Sequence, residues 1–111
     1  MPLTHLLDTN IVSYFVRGNF PAVRQHIARA PIDSLAVSIV TKAELLYWVL
    51  CRPGSTRIHV GVADFPMRAP SITWDTRAAQ NYARTRDTLK RNGLVLSTND
   101  LMIASHALSL V

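Results

Sequence analysis

One pattern recurs along this sequence: an apolar run ends, and a polar residue able to cap a helix follows within two residues. The three apolar runs cover residues 3–7, 35–39 and 70–74. Each is short enough for a buried strand, and each leads into a helical pattern. Successive strand–helix units pair their strands in parallel with right-handed crossovers. The sequence therefore predicts an α/β fold with a parallel sheet flanked by helices.

The segments between the apolar runs carry helical periodicity with recognisable start and stop signals. The predicted helices cover residues 10–17, 20–30, 40–51, 56–67, 77–92 and 101–111. The helix at 40–51 is apolar on most sides, so we expect it to lie centrally. No repeat, linker or low-complexity segment interrupts the chain. A single domain over residues 1–111 is therefore predicted.

Composition excludes several classes of protein. Hydrophobic residues make up 49% of the 111 residues and charged residues 17%, which is typical of a globular chain. No apolar run approaches the ~18 residues of a membrane span. Cys51 is the single cysteine, so an intrachain disulfide is excluded and a cytoplasmic location is expected. The net charge of +5 favours a polyanionic partner, either nucleic acid or an acidic protein.

Three of the seven acidic residues stand at predicted strand-to-helix junctions: Asp8, Glu44 and Asp100. Each has a local explanation. Asp8 can form a turn with its own backbone, and Asp100 suits the positive end of a helix dipole. Thr41 and Glu44 have the spacing of a capping box. Taken singly, these acids are therefore explained by helix capping.

Taken together, the three acids favour a different interpretation, because the carboxyl ends of parallel strands meet at one edge of a sheet. Two carboxylates ~4 Å apart repel by ~4 kcal/mol at an effective dielectric near 20, so a proton or a cation must offset the charge. Oxygen ligands alone favour Mg²⁺ or Mn²⁺, and a carboxylate-bound metal beside a basic surface is typical of phosphodiester hydrolysis. The residues expected to hold waters or orient the carboxylates are Thr9, Asn10, Thr41, Thr98 and Asn99.

Three segments in order resemble the motifs of PIN-domain ribonucleases, and the closest branch is the VapC-type toxins of type II toxin–antitoxin systems. The segments are Leu7–Ile11, Ser38–Leu45 and Asn99–Ala107. The resemblance implies a three-layer fold with strand order 3-2-1 and a Mg²⁺-dependent RNA endonuclease that a cognate antitoxin silences. It also implies that Asp8 and Asp100 bind the metal and that Glu44 completes the catalytic cluster.

The sequence departs from this family at its end. Family members continue beyond the Asp100 helix into further strands, one of which carries a fourth acidic or polar site residue, whereas this sequence ends at Val111. The predicted domain is therefore truncated, and its first strand is an exposed edge. We expect either low solubility or a homodimer that covers the edge. A second interpretation stays open, in which the chain is an inert remnant that acts by binding its antitoxin.

Several other residues have both a functional and a structural explanation. Arg86 falls within the apolar stripe of helix 77–92, so it either pairs with the acid cluster or substrate, or lies at the rim of the helix. Three arginines spaced seven residues apart form either a phosphate-binding strip or a solvated face. His106 is predicted to be a packing residue. The stripe consists of Ala78, Ala79, Tyr82, Ala83 and Leu89, and the spaced arginines are Arg77, Arg84 and Arg91.

Overall fold

The computed structural model describes residues 3–111, which form a three-stranded parallel sheet and six α-helices. The strands are β1 (His5–Leu7), β2 (Leu35–Ser38) and β3 (Ser71–Ile72). The helices are α1 (Thr9–Arg17), α2 (Pro21–Arg29), α3 (Ile39–Cys51), α4 (Thr56–Asp64), α5 (Thr76–Arg91) and α6 (Thr98–Ser109), and a 3₁₀ turn (Phe65–Met67) follows α4. The sheet has the order β1-β2-β3, with all pairs parallel. The predicted fold class and the predicted strand order 3-2-1 are confirmed.

The chain forms two compact units, Met1–Ile72 and Thr73–Val111. The first unit contains the sheet and helices α1 to α4. Strand β2 is buried along its whole length because it lies between the two other strands. The core of this unit consists of Val12, Val16, Ile27, Leu35, Val37, Leu45, Val62, Phe65 and Ala69. The second unit consists of helices α5 and α6, which pack against each other.

Capping side chains set the starts of most helices. A side-chain oxygen at the N-cap accepts a hydrogen bond from a backbone amide two or three residues further on, which satisfies one of the donors that a helix start leaves unpaired. The residues with this role are Asp8, Ser38, Ser55, Asp75 and Ser97. Helix α2 begins differently, with Pro21 in its first turn. The helices therefore begin close to their predicted positions.

Three predicted boundaries are wrong. The third strand is limited to Ser71–Ile72, because only this part of residues 70–74 pairs with β2. Helix α6 begins at Thr98, three residues earlier than predicted, since Ser97 accepts from the Asp100 amide. Helix α4 ends at Asp64, and the chain then tightens into the 3₁₀ turn that contains Pro66, which lacks an amide donor.

None of the helices within residues 3–111 combines the length and the apolar composition that a membrane-spanning helix requires.

In the second unit, the aromatic residues fix the packing of α5 on α6. Trp74 donates its indole N–H to the carbonyl oxygen of Met102 at 3.2 Å, and its ring meets that of Tyr82 edge-on at 6.1 Å between centroids. His106 is 1% exposed. Burial lowers the pKa of His106, while the Asp75 carboxylate and a hydrogen bond to the Thr73 backbone act in the opposite direction. The burial of His106 agrees with the predicted packing role.

The buried stripe of α5 differs from the predicted one. Ala79 and Ala83 are exposed. The face turned inward carries Ala78, Asn81, Tyr82, Thr85 and Leu89. The stripe therefore follows the spacing of three and four residues that a straight helix requires, and it includes two polar residues, Asn81 and Thr85, that the apolar pattern leaves out.

Candidate functional site

Asp8 lies where β1 ends and α1 begins, as predicted. Its Oδ1 atom accepts a hydrogen bond from the Ile11 amide at 2.9 Å, so Asp8 is the N-cap of α1. The side chain is exposed. Within residues 3–111 its second oxygen, Oδ2, accepts no hydrogen bond. Asp8 therefore caps the helix through one oxygen and presents the other to solvent, and the two roles that the sequence left open are compatible.

Glu44 is held by the residue that follows Asp8. The Thr9 hydroxyl donates to Glu44 Oε1 at 2.5 Å, and it also lies 3.5 Å from the Thr41 hydroxyl. Thr41 is fully buried, whereas Thr9 and Glu44 are half-buried. The start of α1 and the second turn of α3 therefore bring the Glu44 carboxylate next to the Asp8 junction, at the carboxyl edge of β1 and β2.

The predicted capping box of Thr41 and Glu44 is wrong. Helix α3 starts at Ile39, with Ser38 as its N-cap, so Glu44 lies in the second turn and not in the first. From there its side chain cannot reach back to cap the helix start. The structure removes the local explanation of Glu44 and provides Thr9 as its partner.

Asp100 belongs to the second unit and lies in the first turn of α6. The backbone amide of Asp100 donates a hydrogen bond to Ser97 Oγ at 3.2 Å. The Asp100 side chain is exposed and accepts no hydrogen bond among residues 3–111. The capping of α6 is therefore performed by Ser97. Asn99, beside it, is exposed, as is Asn10 in the first turn of α1. The helix dipole stays an adequate structural explanation for Asp100.

Arg86 is not buried. It is exposed on α5, its Nη1 donates to the Tyr82 hydroxyl at 3.1 Å, and its guanidinium lies 5.9 Å from the centre of the Tyr82 ring. The predicted buried arginine is therefore wrong, and the rim position weighed as its alternative is correct. The helix turns Arg86 away from the inward face because it lies one residue past the Tyr82–Thr85–Leu89 line.

The donor atoms at these positions suit a hard divalent cation. Asp8, Glu44 and Asp100 offer carboxylate oxygens and Thr9 a hydroxyl, with no sulfur donor, which favours Mg²⁺ or Mn²⁺ over softer metals. Among residues 3–111, no three His, Cys, Asp or Glu side chains form a group that could hold a metal ion. The three-carboxylate site therefore stays a prediction.

A basic groove in the first unit was missed at the sequence level. It has a volume of about 720 Å³ and an apolar floor that includes Phe15, Val60 and Phe65. Three arginines from three different segments line it, namely Arg24, Arg57 and Arg68, together with one acid, Asp64. The three arginines are far apart in sequence and carry no common motif. Only the packing of α1, α2 and α4 brings them together.

Comparison with known proteins gives a consistent assignment. The PIN domain model matches residues 5–110. Ribonuclease VapC1 of Haemophilus influenzae strain R2866 is 28% identical over 109 residues, which are 97% of this chain and 81% of that protein. The tRNA(fMet)-specific endonuclease VapC of Shigella flexneri is 29% identical over 107 residues, 96% of this chain and 80% of that protein.

Solved structures with a similar fold point to the same family. The crystal structure of VapBC2 from Rickettsia felis, bound to a DNA fragment from its promoter, superposes with a TM-score of 0.84 at 26% identity. The superposition covers 96% of this chain and 82% of that one. The PIN model spans nearly the whole sequence, including the segments that contain Asp8, Glu44 and Asp100. This chain therefore belongs to the PIN-domain family.

Proposed function

We propose that this chain is a metal-dependent RNA endonuclease and the toxin component of a toxin–antitoxin pair in the cytoplasm. The observation that carries the proposal is the hydrogen bond from Thr9 to Glu44, which holds a half-buried carboxylate beside the Asp8 junction, where a helix cap alone does not require one. The ribonuclease and endonuclease names of the similar proteins support it. The net charge of +5 attracts a polyanionic substrate.

In this proposal, Asp8 and Asp100 hold Mg²⁺ or Mn²⁺ and Glu44 completes the cluster. When bound, such a metal polarises a phosphodiester and lowers the pKa of coordinated water. The chain's own contribution is orientation. Thr9 fixes the Glu44 carboxylate through its hydroxyl, and buried Thr41 limits where Thr9 can turn. Asn10 and Asn99, both exposed, are proposed to contact water or substrate.

The antitoxin partner is proposed to occupy the basic groove of the first unit. The similar solved structure is a VapBC assembly, which supports a partner of this kind. Arginines above an apolar floor fit a segment that carries both acidic and apolar side chains. The second interpretation, an inert remnant that binds its antitoxin, requires the same groove. It differs from the first only in lacking cleavage.

Cleavage of RNA by the purified chain distinguishes the two interpretations. We expect a single-stranded RNA to be cut in Mg²⁺ or Mn²⁺, and to stay intact when EDTA removes the metal or Ca²⁺ replaces it. Ca²⁺ serves as a control because it is larger and accepts looser coordination. If circular dichroism shows that the chain is folded and the RNA stays intact in all four conditions, the chain is better described as an inert, antitoxin-binding protein.

A homodimer that covers the edge of β1 is also proposed, and helix α3 offers a further apolar surface for it. The exposed fractions of Leu46, Tyr47 and Leu50 on this helix are 52%, 69% and 76%. Such an apolar face is typical of an interface. We expect analytical ultracentrifugation to find a dimer for the wild type and a monomer for Leu50→Glu. The control Ile32→Glu, at an equally exposed residue outside α3, should stay dimeric, and a monomeric wild type would contradict the proposal.

A further inference from the structure

A cavity in the second unit is lined by side chains that suit a nucleotide. It has a volume of about 320 Å³ and lies between one face of α5, the segment after α5, and the start of α6. Tyr82, Arg86 and Lys90 form one wall, and their spacing of four places them in a row along α5. Leu94, Val95 and Leu96 form the facing wall. The cavity is therefore basic and aromatic on one side and apolar on the other.

The charge in this cavity is not neutralised by the residues that line it. No acid is among the lining residues, and the nearby Asp87 forms its ion pair with Arg91 at 2.9 Å. Arg86 and Lys90 are both exposed. Two adjacent cations without a carboxylate in the same cavity favour an anionic ligand, and a guanidinium matches the geometry of a phosphate.

The Tyr82 ring is held in a fixed position. Trp74 braces it edge-on, and Arg86 both donates to its hydroxyl and lies against the ring at 5.9 Å. The ring and the guanidinium therefore present a preorganised aromatic and cationic surface beside the apolar wall. Proteins bind the bases of single-stranded RNA on surfaces of this type, and they hold the backbone through arginine and lysine.

The cavity is also adjacent in the chain to a predicted site residue. Thr98 lines it and stands in the first turn of α6 together with Asp100. We propose that this cavity accommodates one nucleotide of the RNA substrate. Arg86 and Lys90 bind its phosphate, and its base lies between Tyr82 and the apolar wall. The inference rests on the proposed nuclease function. Arg86, Lys90 and Tyr82 are substrate-binding residues, and they take no part in the bond cleavage.

Binding is measured first, without cleavage. The fluorescence anisotropy of a short labelled single-stranded RNA is measured as protein is added at low salt. EDTA is present so that the RNA is not cleaved. We expect Arg86→Ala and Lys90→Ala each to weaken binding by about five- to tenfold. The matched control is Arg29→Ala, which removes the same charge from an exposed position on α2, outside the cavity, and should change binding by less than about twofold. The proposal would be overturned if all three variants weakened RNA binding equally, or if the wild type did not bind the RNA.

Further variants separate binding from folding. Tyr82→Phe should bind as the wild type does, because it keeps the ring, and Arg86→Lys should restore part of the affinity that Arg86→Ala loses. Thermal melting should be the same for Arg86→Ala and Arg29→Ala. In cleavage assays, Arg86→Ala should raise KM and leave kcat unchanged. A lower kcat at unchanged KM would overturn the assignment.

Two other outcomes are distinguishable. If an acidic peptide displaces the RNA from the wild type at equal charge concentration, the cavity is a peptide site and the proposal is wrong. If Arg86→Ala weakens RNA binding but the wild type cleaves no RNA in Mg²⁺, the nucleotide site stands and the proposed enzymatic function fails. Cleavage that is normal in both Arg86→Ala and Lys90→Ala overturns the site and leaves the nuclease in place.

Discussion

Asp100→Asn is expected to reduce RNA cleavage by about 100-fold or more, because it removes one of the charges that would hold the metal and changes little else. The asparagine has nearly the same shape. Helix α6 is capped by Ser97, and the Asp100 side chain accepts no hydrogen bond among the described residues, so the fold should be unaffected. Cleavage of a labelled RNA under single-turnover conditions with Mg²⁺ measures the effect.

The same logic applies to Asp8 and Glu44 in the first unit. Asn at position 8 keeps an oxygen that can accept from the Ile11 amide, and Gln at position 44 keeps one for the Thr9 hydroxyl. Asp8→Asn and Glu44→Gln therefore can keep these two hydrogen bonds while they remove the charge. We expect losses similar to that of Asp100→Asn, and a loss of about tenfold for Thr9→Val, which removes the hydroxyl that donates to Glu44 and keeps the carboxylate charge.

Asp33→Asn is the matched control for these carboxylate variants. Asp33 is exposed, and its backbone has a φ of 69°, a conformation that asparagine tolerates well. The substitution changes the net charge by the same amount and should leave the cleavage rate unchanged. If Asp8→Asn, Glu44→Gln and Asp100→Asn all cleave as fast as Asp33→Asn, the three acids take no part in cleavage and the carboxylate site does not exist.

Gly61→Val is expected to give the largest loss of stability among surface-accessible positions, about 3 kcal/mol. A Cβ atom built at Gly61 would lie 2.6 Å from Val16 Cγ1 and 3.3 Å from its Cγ2. Val16 is 5% exposed, and a valine in a helix is restricted to essentially one rotamer, so its methyl groups cannot turn away. Helices α1 and α4 must therefore separate. The melting temperature should fall by roughly 10–20 °C.

Gly54→Val provides the control for this prediction. Gly54 precedes α4, its φ is not in the left-handed region, and nothing lies within 4 Å of a Cβ built there. The melting temperature of Gly54→Val should stay close to that of the wild type. Gly61→Ala should lie between the two valine variants, because the better helix propensity of alanine, about 1 kcal/mol, offsets part of the overlap. A wild-type melting temperature for Gly61→Val would show that α1 and α4 do not approach as closely as the structure indicates.

Local sequence signals predicted most of the secondary structure. Apolar runs predicted the strands, and the polar residues that follow them predicted helix starts, because a cap acts on amides only two or three residues away. The least accurate element was β3. Its extent depends on how far β2 continues beside it, and pairing with a distant segment is not contained in residues 70–74.

The candidate site divides in the same way. The positions of Asp8 and Asp100 at helix starts followed from local patterns. The partner of Glu44 did not, because the Thr9 contact joins residues that are 35 positions apart and depends on how α3 packs beside the start of α1. Arg86 was misplaced for a related reason, since apolar spacing on α5 fixed the stripe only to within one residue.

The sequence by itself determined the α/β class, the strand order that its family motifs imply, and the residues available for metal and RNA chemistry. Composition, periodicity and caps are short-range properties, and each acts within a few residues of chain. The tertiary structure alone decided that Thr9 holds Glu44, that three distant arginines share a groove, and that Tyr82, Arg86 and Lys90 face an apolar wall. These contacts depend on which faces of the helices pack together, and packing is settled by the shapes of many side chains at once.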